Sequence, residues 1–209
     1  MLGVLAMSED ATQWYLKQLE STEITVFNTD FERINALLPS PSEQIIKLLK
    51  SYLNQVTKVD ELLIPNITIH NIIDCILATE YFPFTIIHPV DLLIKELKTT
   101  ACKKILLTGT IHTMQPGYIS EKLNEAGIEV TFPNSKEIME IDTLRKEVYH
   151  KRAKEKQIQA FHQLLNSYTK NITVVLACTE LSMINKVAAK NILDMAQIQI
   201  NNCQEKTSQ

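Results

Sequence analysis

Two kinds of apolar spacing alternate along the chain. Short continuous runs such as ILLT and TVVLA are bounded by polar residues, as in strands buried on both faces. They predict strands over residues 2–7, 23–28, 61–65, 84–88, 104–108, 129–132 and 173–177. Between them, apolar residues recur every three or four positions, as on one helix face. That spacing predicts helices near 11–20, 42–56, 69–80, 89–98, 114–126, 136–167 (with a break) and 186–200. Pro41-Ser42-Glu43 and Gln115-Pro116 read as helix starts, and Gly127 reads as a helix end.

Strand–helix alternation predicts an α/β fold with parallel sheets covered on both faces. Ligands of such sheets bind beyond the carboxyl ends of the strands. The residues at those ends are Met7-Ser8, Asn28-Thr29-Asp30, Asn66-Ile67-Thr68, Gly109-Thr110 and Cys178-Thr179-Glu180. GVLAMS in the first half resembles ILLTGT in the second, and LLIPNIT resembles VVLACTE. The expectation is two similar lobes, residues 1–98 and 99–185, each a short parallel sheet flanked by helices. They would face each other across a cleft. A helix over 186–202 is a candidate addition to the first lobe.

Composition narrows the partners. The 209 residues are 45% hydrophobic and 22% charged, which is ordinary globular material. A net charge of −3 gives no electrostatic reason to expect a nucleic acid or an anionic membrane as partner. The basic run at residues 150–156 reads as a solvated helix face. No apolar run approaches the roughly 20 residues that span a bilayer, and MLGVLAMSED lacks the basic start of a signal peptide. Four scattered cysteines without a CxxC pair argue against a disulfide framework or zinc site, and for the reducing cytoplasm. The five histidines show no metal-ligand spacing, and no glycine-rich dinucleotide fingerprint is present. No metal or cofactor is expected.

Cys178 is the leading chemical candidate. A thiol at a strand end, followed by a helix start, can be held as the reactive thiolate by the helix amides. The alternative is a small buried hydrophobe. Cys75, inside HNIIDCILA, reads as core, and Cys203 falls in a polar tail. Gly109 to Thr113 offer amides and hydroxyls suited to a carboxylate or phosphate, or else Thr113 simply caps a helix. His70 is either ligand-facing or a polar residue at a helix start.

Taken together, these stretches resemble the aspartate/glutamate racemase superfamily. The resemblance runs through Met7-Ser8 and Ala11-Thr12, VFNTDFERIN at 26–35, IPNITIH at 64–70, LLTGTIHTM at 106–114, AGIEVTFP at 126–133 and LACTELSMI at 176–184. Cys-Thr-Glu after a buried strand is its most specific part. It implies two pseudo-twofold-related α/β lobes, usually in a homodimer. It also implies proton transfer at the α-carbon of an acidic amino acid, or a similar small carboxylate, without pyridoxal phosphate or metal. One cysteine removes the α-proton and a second, on the opposite face, returns one. By that resemblance Cys178 is the second catalytic cysteine. Thr68, Thr110, Thr113 and Thr179 match positions that hold the substrate's carboxylate and ammonium. Ser8, Asn28, Asp30 and Glu180 fall in matching strand-end segments near the substrate.

The resemblance breaks at informative places. The family's first cysteine aligns with Asn66, and the asparagine after it aligns with Ile67. An amide has no accessible proton equilibrium for acid–base work. The glycine pair expected before Met7 is reduced to Leu5-Ala6. The strand that usually precedes the last helix is hard to find in 185–190, and residues 38–42 offer no arginine for a side-chain carboxylate. The expected protein is therefore a racemase-family enzyme with an asymmetric one-cysteine site. Arylmalonate decarboxylases, which keep only the second cysteine, offer an alternative. A catalytically silent carboxylate-binding protein is the other.

Overall fold

The computed structural model describes residues 1–19 and 23–207 of the chain. Two four-stranded parallel sheets are flanked by helices, as the alternation predicts. The chain divides into two compact units: Met1–Pro89 with the residues from Gln199 onward, and Val90–Ile198.

The first unit carries strands β1 (Leu2–Leu5), β2 (Ile24–Phe27), β3 (Glu61–Leu63) and β4 (Thr85–Ile86) in the order β2-β1-β3-β4. Helices α1 (Glu9–Gln18), α2 (Phe31–Asn35), α3 (Glu43–Leu53) and α4 (His70–Leu77) alternate with them. Leu5, Leu62 and Ile64 meet Ile45, Leu49, Ile72 and Ile73 in one buried cluster. Burying side chains of this size stabilises by about 1.5–3 kcal/mol each before entropy is counted. Residue 20, where the first expected helix ended, lies outside the described residues.

Helix α5 (Pro89–Thr99) begins the second unit. Its strands are β5 (Lys104–Thr108), β6 (Glu129–Thr131), β7 (Thr173–Leu176) and β8 (Ile192–Asp194), in the order β6-β5-β7-β8. That repeats the first sheet's order strand for strand. Its other helices are α6 (Tyr118–Glu125), α7 (Ser135–Tyr149), α8 (Glu155–Tyr168) and α9 (Thr179–Ile184). Gly127, at φ 80°, closes α6 while Ile128 N–H bonds back to the Leu123 carbonyl at 3.0 Å. The last helix, α10 (Met195–Thr207), begins in the second unit and ends in the first. There the buried Gln199 accepts from the Tyr15 hydroxyl at 2.8 Å and donates to the Ile87 carbonyl at 2.7 Å.

Several expectations are corrected. The helix expected over 186–200 starts only at Met195, and Ile192–Asp194 is a strand paired in parallel with β7. Asp194 forces the change: its Oδ1 accepts from Ala196 N–H at 3.0 Å and Gln197 N–H at 3.3 Å, as a helix cap does. The helix expected from 114 begins at Tyr118, because residues 110–113 close a turn of their own and Gly117 is extended. The basic run at 150–156 is not a helix face. Tyr149 ends α7, Lys151 takes φ 58°, and α8 starts at Glu155. Cys75 is exposed rather than core, since α4 buries Ile72, Ile73 and Ile76 on its other side. Cys203, expected in a polar tail, is buried on α10. Among the described residues, no helix is long and apolar enough to cross a membrane.

Candidate active site

In the second unit, β5 and β7 run side by side, with Thr108 opposite Leu176. Beyond that pair, Ala177 N–H donates to the Thr108 carbonyl at 2.8 Å, and the buried Thr108 hydroxyl donates to the Val175 carbonyl at 2.9 Å. The two strand ends are thereby drawn together over Gly109. A Cβ at position 109 would come within 3.0 Å of the Ala177 carbonyl oxygen and 3.1 Å of Thr113 Cγ2. Close approach, not a special φ, is why glycine stands there.

The chain then turns on itself. Thr113 N–H meets the Thr110 carbonyl at 3.0 Å, and the two hydroxyls lie 2.9 Å apart. Thr113 therefore caps no helix, and α6 begins five residues later. The Ile111 N–H of the same turn donates to Oδ1 of the buried Asp142 at 3.0 Å. Asp142 also takes Arg145 Nε at 2.8 Å and Lys146 Nζ at 2.6 Å. Burial opposes its ionisation, but Lys146, the Ile111 amide and Arg145 prevail and hold the carboxyl below its ordinary 3.8.

Cys178 follows β7 and caps α9, its carbonyl accepting from the Leu181 and Ser182 N–H groups at 3.1 Å each. The side chain is buried, and Sγ lies 3.0 Å from Glu180 Oε2. The expectation of a thiolate is reversed. Burial first, then the charge and hydrogen bond of Glu180, push the thiol well above its usual range, against smaller opposing effects of Arg145 and the Leu181 amide. A helix of six residues offers too little opposing field. Beside it, Thr179 Oγ1 is buried without a hydrogen-bond partner. Such a hydroxyl costs about 1–3 kcal/mol unless a partner arrives.

The first unit spends its strand ends differently. Asn66 Oδ1 accepts from Ile69 N–H at 3.0 Å, and its backbone carbonyl meets His70 Nδ1 at 2.9 Å. His70 is fully buried. Burial above all, and then the His88 ring, lower its pKa to about 3, so it is a neutral imidazole. Ser8 caps α1 by accepting from Ala11 N–H at 3.4 Å. Asp30 caps α2 by accepting from Arg33 N–H at 3.2 Å, while its own N–H donates to the Tyr52 hydroxyl at 2.9 Å. Asn28 is exposed, and Thr68 is half-buried in the turn before α4.

The expected residues thus form two sets. Thr110, Thr113, Cys178, Thr179 and Glu180 gather at the adjoining ends of β5 and β7. Ser8, Asn28, Asp30, Asn66 and Thr68 follow β1, β2 and β3. Sequence reasoning missed Asp142 and Arg145. The signal was present: in DTLRK, Asp142 precedes Arg145 and Lys146 by three and four positions, one face of a helix. It also missed Ser182, whose hydroxyl lies 2.7 Å from Asp194 Oδ1 and 3.1 Å from the Cys178 carbonyl. Among the described residues no three histidine, cysteine or acidic side chains are grouped to hold a metal.

A model of the Asp/Glu/Hydantoin racemase family matches residues 17–203. An aspartate racemase homologue from Pyrococcus horikoshii OT3 superposes with a TM-score of 0.80 at 21% identity, covering 100% of this chain and 99% of its own. Picrophilus torridus aspartate racemase gives 0.76 at 18% identity, covering 100% and 94%. Campylobacter jejuni glutamate racemase gives 0.62 at 19% identity, covering 100% and 85%. At these identities the likeness is one of fold. No curated protein matches the sequence.

Proposed function

The chain belongs to the Asp/Glu/Hydantoin racemase family, and from that premise we propose that it moves a proton at the α-carbon of an acidic amino acid such as aspartate or glutamate, with Cys178 as its single thiol acid/base and no cofactor. The observation that carries the proposal is the buried Cys178 Sγ at the end of β7, beside the unpartnered Thr179 hydroxyl and the paired Thr110 and Thr113 hydroxyls. An α-proton is weakly acidic, so the reaction needs donors aimed at the charge that develops on the carboxylate. The Thr179 hydroxyl has a donor to give. Ser8, Asn28, Asp30 and Thr68 of the first unit are proposed to bind the remaining substrate groups, and the working form is a homodimer. Asn66 stands where the family has its first catalytic cysteine, and an amide cannot supply the second proton. Exchange with retention is then favoured over inversion.

One observation favours a second reading. A thiol held protonated is better suited to donate a proton than to take one. That suits a one-base enzyme that protonates an enediolate after decarboxylation.

The test is incubation in deuterium oxide with aspartate, glutamate and a panel of neutral amino acids. α-Deuteration is read by mass spectrometry and inversion by chiral chromatography. The proposal expects deuteration of an acidic amino acid, lost in Cys178→Ser. Binding of a panel member with no exchange in any would establish a silent binding protein instead.

A further inference from the structure

Buried thiols usually sit among apolar groups, yet Sγ of Cys178 is hydrogen-bonded to a carboxylate two residues along its own helix, 3.0 Å away. Glu180 is half-buried, so solvent reaches part of it while the sulfur's residue is enclosed. Among the described residues the opposing charge is Arg145 of α7, and Arg145 is already committed to Asp142 at 2.8 Å. A substrate-binding carboxylate has no reason to face the reacting sulfur at hydrogen-bond distance. A proton acceptor has.

We infer that Glu180 is a catalytic residue rather than a substrate ligand: it accepts the Cys178 proton and returns it, so that the pair shares one proton. The inference rests on the α-carbon reading above. In the first step the S–H bond breaks and an O–H bond forms on Oε2, leaving a thiolate beside a neutral carboxylic acid. The pair's net charge stays at minus one, so no new charge is created in the buried site. The thiolate electron pair then takes the α-proton. The C–H bond breaks, an S–H bond forms, and the C–H electrons remain on the substrate as the enolate. Reversal returns a proton from sulfur to carbon, and Oε2 gives its proton back to sulfur. While the substrate is an enolate, Oε2 releases its proton to water, takes the substrate-derived proton from sulfur, exchanges it with water and passes a solvent proton back to sulfur for return to carbon. This explains how an enclosed thiol could exchange an α-proton without a second base.

The pair makes two measurements move in opposite directions. Burial and the Glu180 charge both hold the thiol protonated. Glu180→Gln removes the charge and keeps the shape, so the thiolate should form at lower pH. Were Glu180 only an electrostatic brake, the variant would then exchange α-protons as fast as the parent or faster. As a proton acceptor its loss should slow exchange by about a hundredfold or more. Thiolate formation is followed by pH-dependent carbamidomethylation of Cys178, mapped by mass spectrometry in the intact protein. Exchange is followed in deuterium oxide. Glu180→Asp, one methylene shorter, should recover part of the exchange and stay foldable if Gln does not. Earlier thiolate formation together with slower exchange supports the inference. Unchanged thiol titration, or earlier titration with undiminished exchange, overturns it. A parent that exchanges no substrate sinks the α-carbon reading and the proton transfer that rests on it, whereas an unchanged thiol titration in Glu180→Gln sinks the Cys178–Glu180 pair whatever the parent does.

Discussion

Oδ1 of Asp142, in the middle of α7, receives the N–H of Ile111 at 3.0 Å. A helix carboxylate therefore fixes the turn that pairs the Thr110 and Thr113 hydroxyls. Asp142→Ala would orphan that N–H and leave Arg145, 22% exposed, without its acceptor. We expect a loss of about 3 kcal/mol in urea denaturation. The folded pKa of Asp142 lies below its ordinary 3.8, so its contribution is complete above about pH 4 and is lost as pH falls through the lower folded value. The deficit of Asp142→Asn relative to the parent should accordingly shrink below pH 4.

Asp194 carries the opposite sign. Burial raises its pKa against the pull of Ser182 and the Gln197 and Ala196 amides. Its favourable contribution is present below its ordinary 3.8 and is lost as pH rises through the folded value. Asparagine keeps the acceptor that caps α10 and discards the charge. Asp194→Asn should therefore melt at or above the parent temperature at pH 7, and lose ground to the parent at pH 3. A variant that melts well below the parent at pH 7 would show that the charge itself is needed.

Thiol labelling should rank the cysteines by exposure. Cys75 is exposed, whereas Cys178 is buried and held protonated. Brief iodoacetamide treatment at pH 7 should mark Cys75 first and Cys178 last, with Cys178 labelling rising as pH increases. Fast labelling of Cys178 at neutral pH would contradict the enclosed, carboxylate-bonded thiol.

Asn66 can be asked for the missing base. Asn66→Cys gives up a bond to Ile69 N–H in the turn before α4, at a cost of about 1 kcal/mol. Ile67 is buried at 3% exposure, so the double variant with Ile67→Asn, which puts a hydrogen-bonding amide beside the new thiol, is the stronger test. If loss of one base is what makes the chemistry asymmetric, the variant should racemise aspartate or glutamate roughly a hundredfold faster than the parent. A folded double variant with no gain by chiral chromatography would rule out that simple loss.

How much of this was legible beforehand depended on the length of each element. Among the described residues, seven of the eight strands fall inside stretches that the apolar pattern located. β8 escaped because its three residues sit inside NILDMAQIQI, whose apolar spacing reads as unbroken helix. Asp194 was the available cue, since a cap-forming aspartate ahead of a helical run marks a start. The Cys-Thr-Glu stretch was recognisable, but the state of its thiol was not. Position at a helix start argued for thiolate, and only the folded geometry shows Glu180 facing the sulfur under a buried strand end. Cys75 failed for a related reason: an apolar neighbourhood in sequence does not say which side of the helix a residue takes.

The link from Tyr15 through Gln199 to Ile87 has a consequence for how the protein is made. The second unit is one uninterrupted stretch, Val90–Ile198, and can assemble as soon as it leaves the ribosome. The first unit is translated earlier but finished later. Until Gln199 emerges, its bonds to the Tyr15 hydroxyl and the Ile87 carbonyl cannot form, so the first unit is completed only after the stretch that makes up the second has been translated.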